Sequence, residues 1–213
     1  MPVPRMCLQR GPVTDSAATT ETPSPRILRR RERTRQAILA AATDCFNRKS
    51  VATVSVEEIT AAVDISRGTF YKLFPHKEEV FLQIARPMLE LYSAELARIE
   101  CTAPREVFDR ILDVYIRVWR EMPDAFSLAS KESRNVFYLL EDLHRPAMQH
   151  MRRLFAFIER HGILRVERAD YAVGLLARSA VVVLRTLDHD PEWESLFRDS
   201  MSGFLLKDQS GRR

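Results

Sequence analysis

An all-α protein is what this sequence predicts, on three observations. Apolar residues recur at three- and four-residue spacing from about residue 30 to residue 206. Glycine is scarce, at six in 213 residues. No segment alternates apolar and polar positions as a half-buried strand does, and no hairpin turn signal separates two such runs. The expected layout is an N-terminal three-helix domain and a C-terminal helical domain, without internal repeats. The boundaries expected are a disordered tail over 1–26, a first domain over 27–77 and a second over 78–213.

Residues 1–26 are rich in Pro, Ser, Thr and Ala and lack periodicity, the composition of a disordered segment. The run Arg26, Arg29, Arg30, Arg31, Arg33 and Arg35 follows. It reads either as a solvated helix end or as an arm that follows a DNA backbone or enters a minor groove. A first helix is expected from about Arg30 to Arg48, with Ala37, Ile38, Ala41, Ala42, Cys45 and Phe46 as its buried stripe.

Residues 55–77, SVEEITAAVDISRGTFYKLFPHK, carry the most information. They read as two short helices joined by a tight turn, the second one small, polar and aromatic. Ser55 can cap the first, with Glu57 and Glu58 in its first turn near the positive end of the dipole. Val56, Ile59 and Val63 give it one apolar face. Val63, Asp64 and Ile65 form the turn, and Ser66 can cap the second helix. There Phe70 and Phe74 lie four apart and pack inward. Arg67, Thr69, Tyr71 and Lys72 fall on other faces, where a phosphate or base edge could meet them. This is the layout of a helix-turn-helix whose second helix enters a DNA major groove.

The remaining elements follow from the same periodicity. A helix from about His76 to Glu100 carries Val80, Phe81, Ile84, Met88 and Leu91, with Pro87 inside it as a kink. Further helices are expected over 104–121, from Pro123 to about Ser130, over 133–160 with a bend at Pro146, over 168–188 and over 191–206. The last two carry dense apolar stripes: Tyr171, Ala172, Leu175, Leu176, Val182, Val183 and Thr186, then Trp193, Leu196, Phe197, Met201, Phe204 and Leu205. Such a pair serves either an intrachain core or half of an intermolecular four-helix bundle.

Composition excludes several classes. At 46% hydrophobic and 29% charged residues, the chain is ordinary globular protein. Its net charge of +4 is unevenly spread: residues 27–77 carry +5, while 78–213 carry −2. The positive charge thus belongs to the helix-turn-helix segment, as a phosphate-facing surface requires. Cys7, Cys45 and Cys101 are few, odd in number and scattered, which fits a reducing cytoplasm and not a disulfide framework. No apolar run approaches the roughly 20 residues of a membrane helix, and no signal-peptide core is evident. There is no GxSxG, HExxH or P-loop. His144, His150 and His161 fall six and eleven apart, so they share no i, i+4 metal face. No enzyme activity, cofactor or metal is expected.

The stretch from about Arg33 to Phe81 resembles the DNA-binding domain of the TetR family of transcriptional regulators. The resemblance rests on AILAAATDCF in the first helix, then TVSVEEITAAVDIS, then RGTFYKLFPHKEEVF, and it covers about a quarter of the chain. Three positions depart from the family's pattern. Asp64 stands where the family usually has Gly in the turn, which Asp tolerates because it can adopt αL geometry. Ser50 stands where a second Gly is usual, and Leu73 where His is frequent.

Read with that resemblance, the expected DNA contacts are Tyr71 and Lys72 at the centre, with Thr69 and Arg67 reaching base edges or nearby phosphates. His76 and Lys77 at the start of the next helix, and Thr53 and Ser55 at the start of the preceding one, are expected at phosphates. Ser55 and Ser66 can equally serve as caps alone. The resemblance also implies a small-molecule pocket in the second domain, for which Tyr92, Phe108, Tyr115, Trp119, Asn135, Tyr138 and His144 are the candidates, though aromatic residues at helical spacing also build cores. It implies a homodimer through the helices near 168–188 and 191–206. The expectation is therefore a cytoplasmic, ligand-responsive homodimeric repressor. It would bind a near-palindromic double-stranded DNA operator and be released by a small hydrophobic effector. The alternative is a helical dimer that binds nucleic acid or ligand without sequence preference.

Overall fold

A computed structural model describes residues 24–131 and 138–208. Nine α-helices run through the described residues: α1 (Pro25–Arg48), α2 (Val56–Val63), α3 (Arg67–Tyr71), α4 (Lys77–Ala97), α5 (Pro104–Glu121), α6 (Pro123–Lys131), α7 (Glu141–Arg160), α8 (Ala169–Leu187) and α9 (Trp193–Leu205). A 3₁₀ turn, Tyr138–Leu140, precedes α7. The all-α class holds, apart from one isolated β-bridge. Leu164 pairs with Leu206, with Arg165 N donating to Leu205 O at 2.8 Å and Lys207 N to Ile163 O at 2.9 Å. It ties the chain after α9 back to the α7–α8 connection.

Helix boundaries differ from the sequence expectation where proline is involved. The first helix begins at Pro25, not near Arg30, so Pro25 and Arg26 belong to α1 and not to a disordered tail; residues 1–23 lie outside the described residues. Proline suits this first position because its fixed φ is helical and its missing N–H needs no partner there. The long helix expected over 133–160 starts only at Glu141 in the described residues, behind the 3₁₀ turn. The α5 bounds coincide with those expected, and α6 runs to Lys131.

The N-terminal unit packs α1, α2 and α3 with the first turns of α4. Ile38, Ala42, Cys45 and Phe46 of α1 meet Val51, Val54, Ile59, Phe70, Phe74, Val80 and Phe81, all buried. Ser55 builds a complete capping box: its Oγ accepts from Glu58 N at 3.1 Å while its own N–H donates to Glu58 Oε1 at 3.4 Å. The hydrogen bond from Lys49, with Ser55 N–H second, holds the Glu58 carboxyl below its ordinary range. Asp64 ends α2 in the left-handed region, at φ 54° and ψ 52°.

Helix α4 is common to both halves. It packs on α1 at its start and on α5, α6 and α7 further along. Further along, Met88, Leu89, Tyr92 and Leu96 of α4 continue the same buried core among residues of α5, α7 and α8. Helices α8 and α9 pack on each other and, through α7 and α5, onto that core. Among the described residues, two polar contacts join α1 to α6. Asn47 Nδ2 donates to Asp124 O at 3.3 Å, and Lys131 Nζ donates to Asn47 O at 3.1 Å. The C-terminal end of α1 is thereby fastened to α6.

Candidate nucleic-acid interface and ligand domain

The recognition helix is five residues long, and burial sorts its side chains. Phe70 is wholly enclosed and Phe74 just beyond it likewise; their rings lie 5.8 Å apart. Ser66 caps the helix, its Oγ accepting from Thr69 N at 3.1 Å. With Phe70 pointing inward, Arg67, Gly68, Tyr71 and Lys72 are left exposed. Tyr71 is 47% exposed, and its ring stands edge-on against Phe70 at 5.5 Å, so it is propped outward. Arg67 pairs with Glu57 of α2 at 2.9 Å. A methyl group at Gly68 would meet only Ser66 Oγ at 3.8 Å, so the bare backbone there is not required by the fold.

The other expected contacts fall into two groups. Thr53 is exposed, but its Oγ1 donates to Ser50 O at 3.1 Å, and Ser55 is engaged in its capping box. His76 caps α4, its Nδ1 accepting from Glu79 N at 3.1 Å. Lys77 is turned inward: its Nζ donates to Val54 O at 2.6 Å and to Ala52 O at 3.0 Å. It is a strut between α4 and the α1–α2 connection, and in this arrangement is not directed at a phosphate. Arg35, which no sequence signal singled out from its neighbours, donates to Gln83 Oε1 of α4 and lies over the Phe74 ring, 4.8 Å from its centre.

The ligand-domain candidates do not form one site. Tyr92 and Tyr115 are buried together, the Tyr92 hydroxyl donating to Tyr115 Oη at 3.0 Å, with Phe126 packed on both rings. Burial keeps both phenols protonated: the Tyr115 pKa is pushed up to about 12, and that of Tyr92 also rises well above its ordinary value. They therefore offer a neutral hydrogen-bonding pair in an aromatic surround. Phe108 is core, edge-on to Phe155 at 6.2 Å. Trp119 is nearly buried and donates from Nε1 to Asp188 Oδ1 at 2.7 Å, which anchors α5 to the end of α8. Tyr138 is 65% exposed, outside that core. His144 is half-buried on α7, where desolvation, with Arg152 second, lowers its pKa. Asn135 lies outside the described residues.

Residues 38–84 match the family model described as bacterial regulatory proteins, tetR family. Over those residues the chain is similar to that family. Among curated relatives, the HTH-type transcriptional repressor Rv3405c of Mycobacterium tuberculosis is 30% identical over 115 residues, 52% of this chain and 59% of that protein. The chain thus matches less than two thirds of that relative's length. The HTH-type transcriptional regulator EthR of Mycolicibacterium smegmatis is 41% identical over 54 residues, 25% of each chain. Among solved structures, the ketosteroid transcriptional regulator KstR2 of Mycobacterium tuberculosis superposes with a TM-score of 0.63 at 16% identity, covering 82% of this chain and 95% of that one. The SmeT–triclosan complex superposes with a TM-score of 0.53 at 24% identity, covering 83% and 93%. At these identities the likeness is one of fold. That likeness of fold covers 82% of this chain in the first case and 83% in the second.

Among the described residues, no three His, Cys, Asp or Glu side chains converge as a metal site, and no helix is long and apolar enough to cross a membrane.

Two lysines of the helix-turn-helix region separate stability from binding. Lys77→Ala is expected to destabilise by about 1.5–3 kcal/mol, since it removes charged donors from two carbonyls. Lys72→Ala, at an exposed position, is expected to change stability by less than about 0.5 kcal/mol while weakening binding to duplex DNA. Urea unfolding and fluorescence anisotropy on the same two variants check this; equal stability losses would remove the strut assignment.

Proposed function

We propose that this chain is a TetR-family, DNA-binding transcriptional repressor that acts in the cytoplasm as a homodimer. It binds a near-palindromic operator and releases it when a small apolar effector enters the second domain. The observation that carries the reading is the sorting of α3. A helix whose anchors are fully buried presents Arg67, Gly68, Tyr71 and Lys72 outward, in the part of the chain that holds the net positive charge. Tyr71 offers an aromatic face and a hydroxyl to base edges or sugar. Lys72 and Arg67 offer charge, and Gly68 lets the backbone come close. The curated relative named as a repressor supports the same direction.

Dimerisation is supported by what α8 and α9 leave uncovered. Tyr171, Val182, Leu196 and Phe204 are exposed large apolar residues on these two helices. Their exposure suits a second copy packing there as a four-helix bundle. Two recognition helices would then sit about 34–36 Å apart, one duplex turn.

The effector reading rests on the Tyr92–Tyr115–Phe126 cluster. It is a neutral hydroxyl pair enclosed by aromatic rings, against α4, the helix that also reaches the DNA-binding domain. The neighbours named for ketosteroid regulation and triclosan binding point to the same apolar chemistry. An effector that opened this cluster would favour a state with α4 displaced, by as much as its affinity differs between the two states.

Selection of bound duplexes from a random library with purified protein tests the main claim. An inverted repeat is expected, bound ~10³-fold or more above random duplex, and Tyr71→Ala is expected to lose that preference without loss of fold. No enriched motif at any salt concentration would move the protein to the non-specific class. For assembly, Val182→Glu with Phe204→Glu is expected to give monomers by sedimentation, with the helical circular dichroism retained. An unchanged dimer would exclude the α8–α9 face.

A further inference from the structure

The N-terminal third of α1 stands free of the rest of the fold. Every residue from Ser24 to Arg33 is exposed, and the first buried one is Ile38. The opposite end of the same helix is fastened to α6 through Asn47. A 24-residue helix is about 36 Å long, so the free end projects away from the α6 contact. Its last anchor is Arg35, held by Gln83 and stacked on Phe74, the residue that roots the recognition helix. The projection thus leaves the domain beside α3.

Its charge is unusual. Arg26, Arg29, Arg30 and Arg33 recur at i, i+3, i+4 and i+7, which makes one stripe, and Arg31 flanks it. The first turn contains no acidic residue. Cations at a helix N-terminus oppose the macrodipole, and like charges three and four apart repel. A helix end shaped only for solubility would carry carboxylates there. Among the described residues, none of these five guanidinium groups is paired with a carboxylate. The local stability given up by this arrangement is recovered when polyanion neutralises it. The family match begins only at residue 38, so it assigns nothing to this segment.

We infer that the free end of α1 is a second DNA-contact element, a preformed rod whose Arg26, Arg29, Arg30 and Arg33 guanidinium groups bind phosphates outside the half-site read by α3. This rests on the operator-binding reading above. From Arg35 to Arg26 the rod reaches about 14 Å, or roughly four base-pair steps at 3.4 Å each. It adds affinity and salt dependence but no base preference.

The test compares full-length protein with the R26Q/R29Q/R30Q/R33Q variant, on the selected duplex with and without flanking base pairs, across a salt series. Each phosphate contact contributes about 0.9 to the slope of log affinity against log salt. The variant is expected to lose at least two from that slope and at least tenfold in affinity near 0.1 M salt, with unchanged order of sequence preference. Trimming the flanks is expected to weaken the wild type and leave the variant alone. The R26K/R29K/R30K/R33K variant is expected to retain most of the slope. A glutamine variant with wild-type slope and affinity overturns the rod while leaving the operator reading standing. A glutamine variant that instead changes which bases are selected overturns the claim that this element reads only phosphate. If neither protein prefers any duplex over random sequence, the operator reading falls and the inference falls with it.

Discussion

A helix of five residues cannot hold its own shape in water; isolated helices below ~12–15 residues are marginal even with favourable sequences. The conformation of α3 therefore depends on the burial of Phe70 and Phe74. Those two rings occupy the space between α1 and α4, in contact with a core that includes Phe46, Ile59 and Phe81. Everything presented outward by α3 takes its direction from that burial. Tyr71 leans on Phe70, and Arg35 closes over Phe74. Caps at Ser55, Ser66 and His76 satisfy helix N-termini that a chain of such short elements would otherwise leave open.

The same core makes α4 the helix shared by the two halves. Its first residue, Lys77, grips the α1–α2 connection, while its middle turns enclose Tyr92 against Tyr115. A shift of α4 along or about its axis acts on both contacts at once. The Asn47–Asp124 and Asn47–Lys131 contacts form a second joint, between α1 and α6. Close-packed interiors transmit such shifts instead of absorbing them. In this chain the second domain joins the helix-turn-helix through packed helices.

Local signals in the sequence were enough for the N-terminal domain. Ser55 with Glu58, the Asp64 turn and the Phe70–Phe74 spacing are each decided within a few residues, so the helix-turn-helix was legible in detail. Long-range pairings were not. Lys77 reads as an exposed cation at a helix start, and only the fold brings Ala52 and Val54 carbonyls to it. The Trp119–Asp188 and Asn47–Asp124 contacts join residues 69 and 77 apart, beyond any periodicity. Aromatic residues of the second domain could be assigned to helices but not divided between core and cavity lining. Phe108 and Tyr92 share the same spacing pattern, yet one packs on Phe155 and the other carries a buried hydrogen bond. Proline misled in one place: Pro25 reads as loop composition but serves as a helix start.

The central physical claim is that the recognition surface is preorganised by its core in the free protein, before any DNA is present. Amide hydrogen exchange of the free protein tests this most directly, because opening of α3 exposes the amides of Phe70, Leu73 and Phe74, which donate to Ser66 and Phe70 carbonyls. The account predicts protection of these three amides comparable to that of the buried turns of α1 and α4. Exchange at the rate of unstructured peptide, with α1 and α4 still protected, would contradict it and make the recognition helix a segment that forms only on binding.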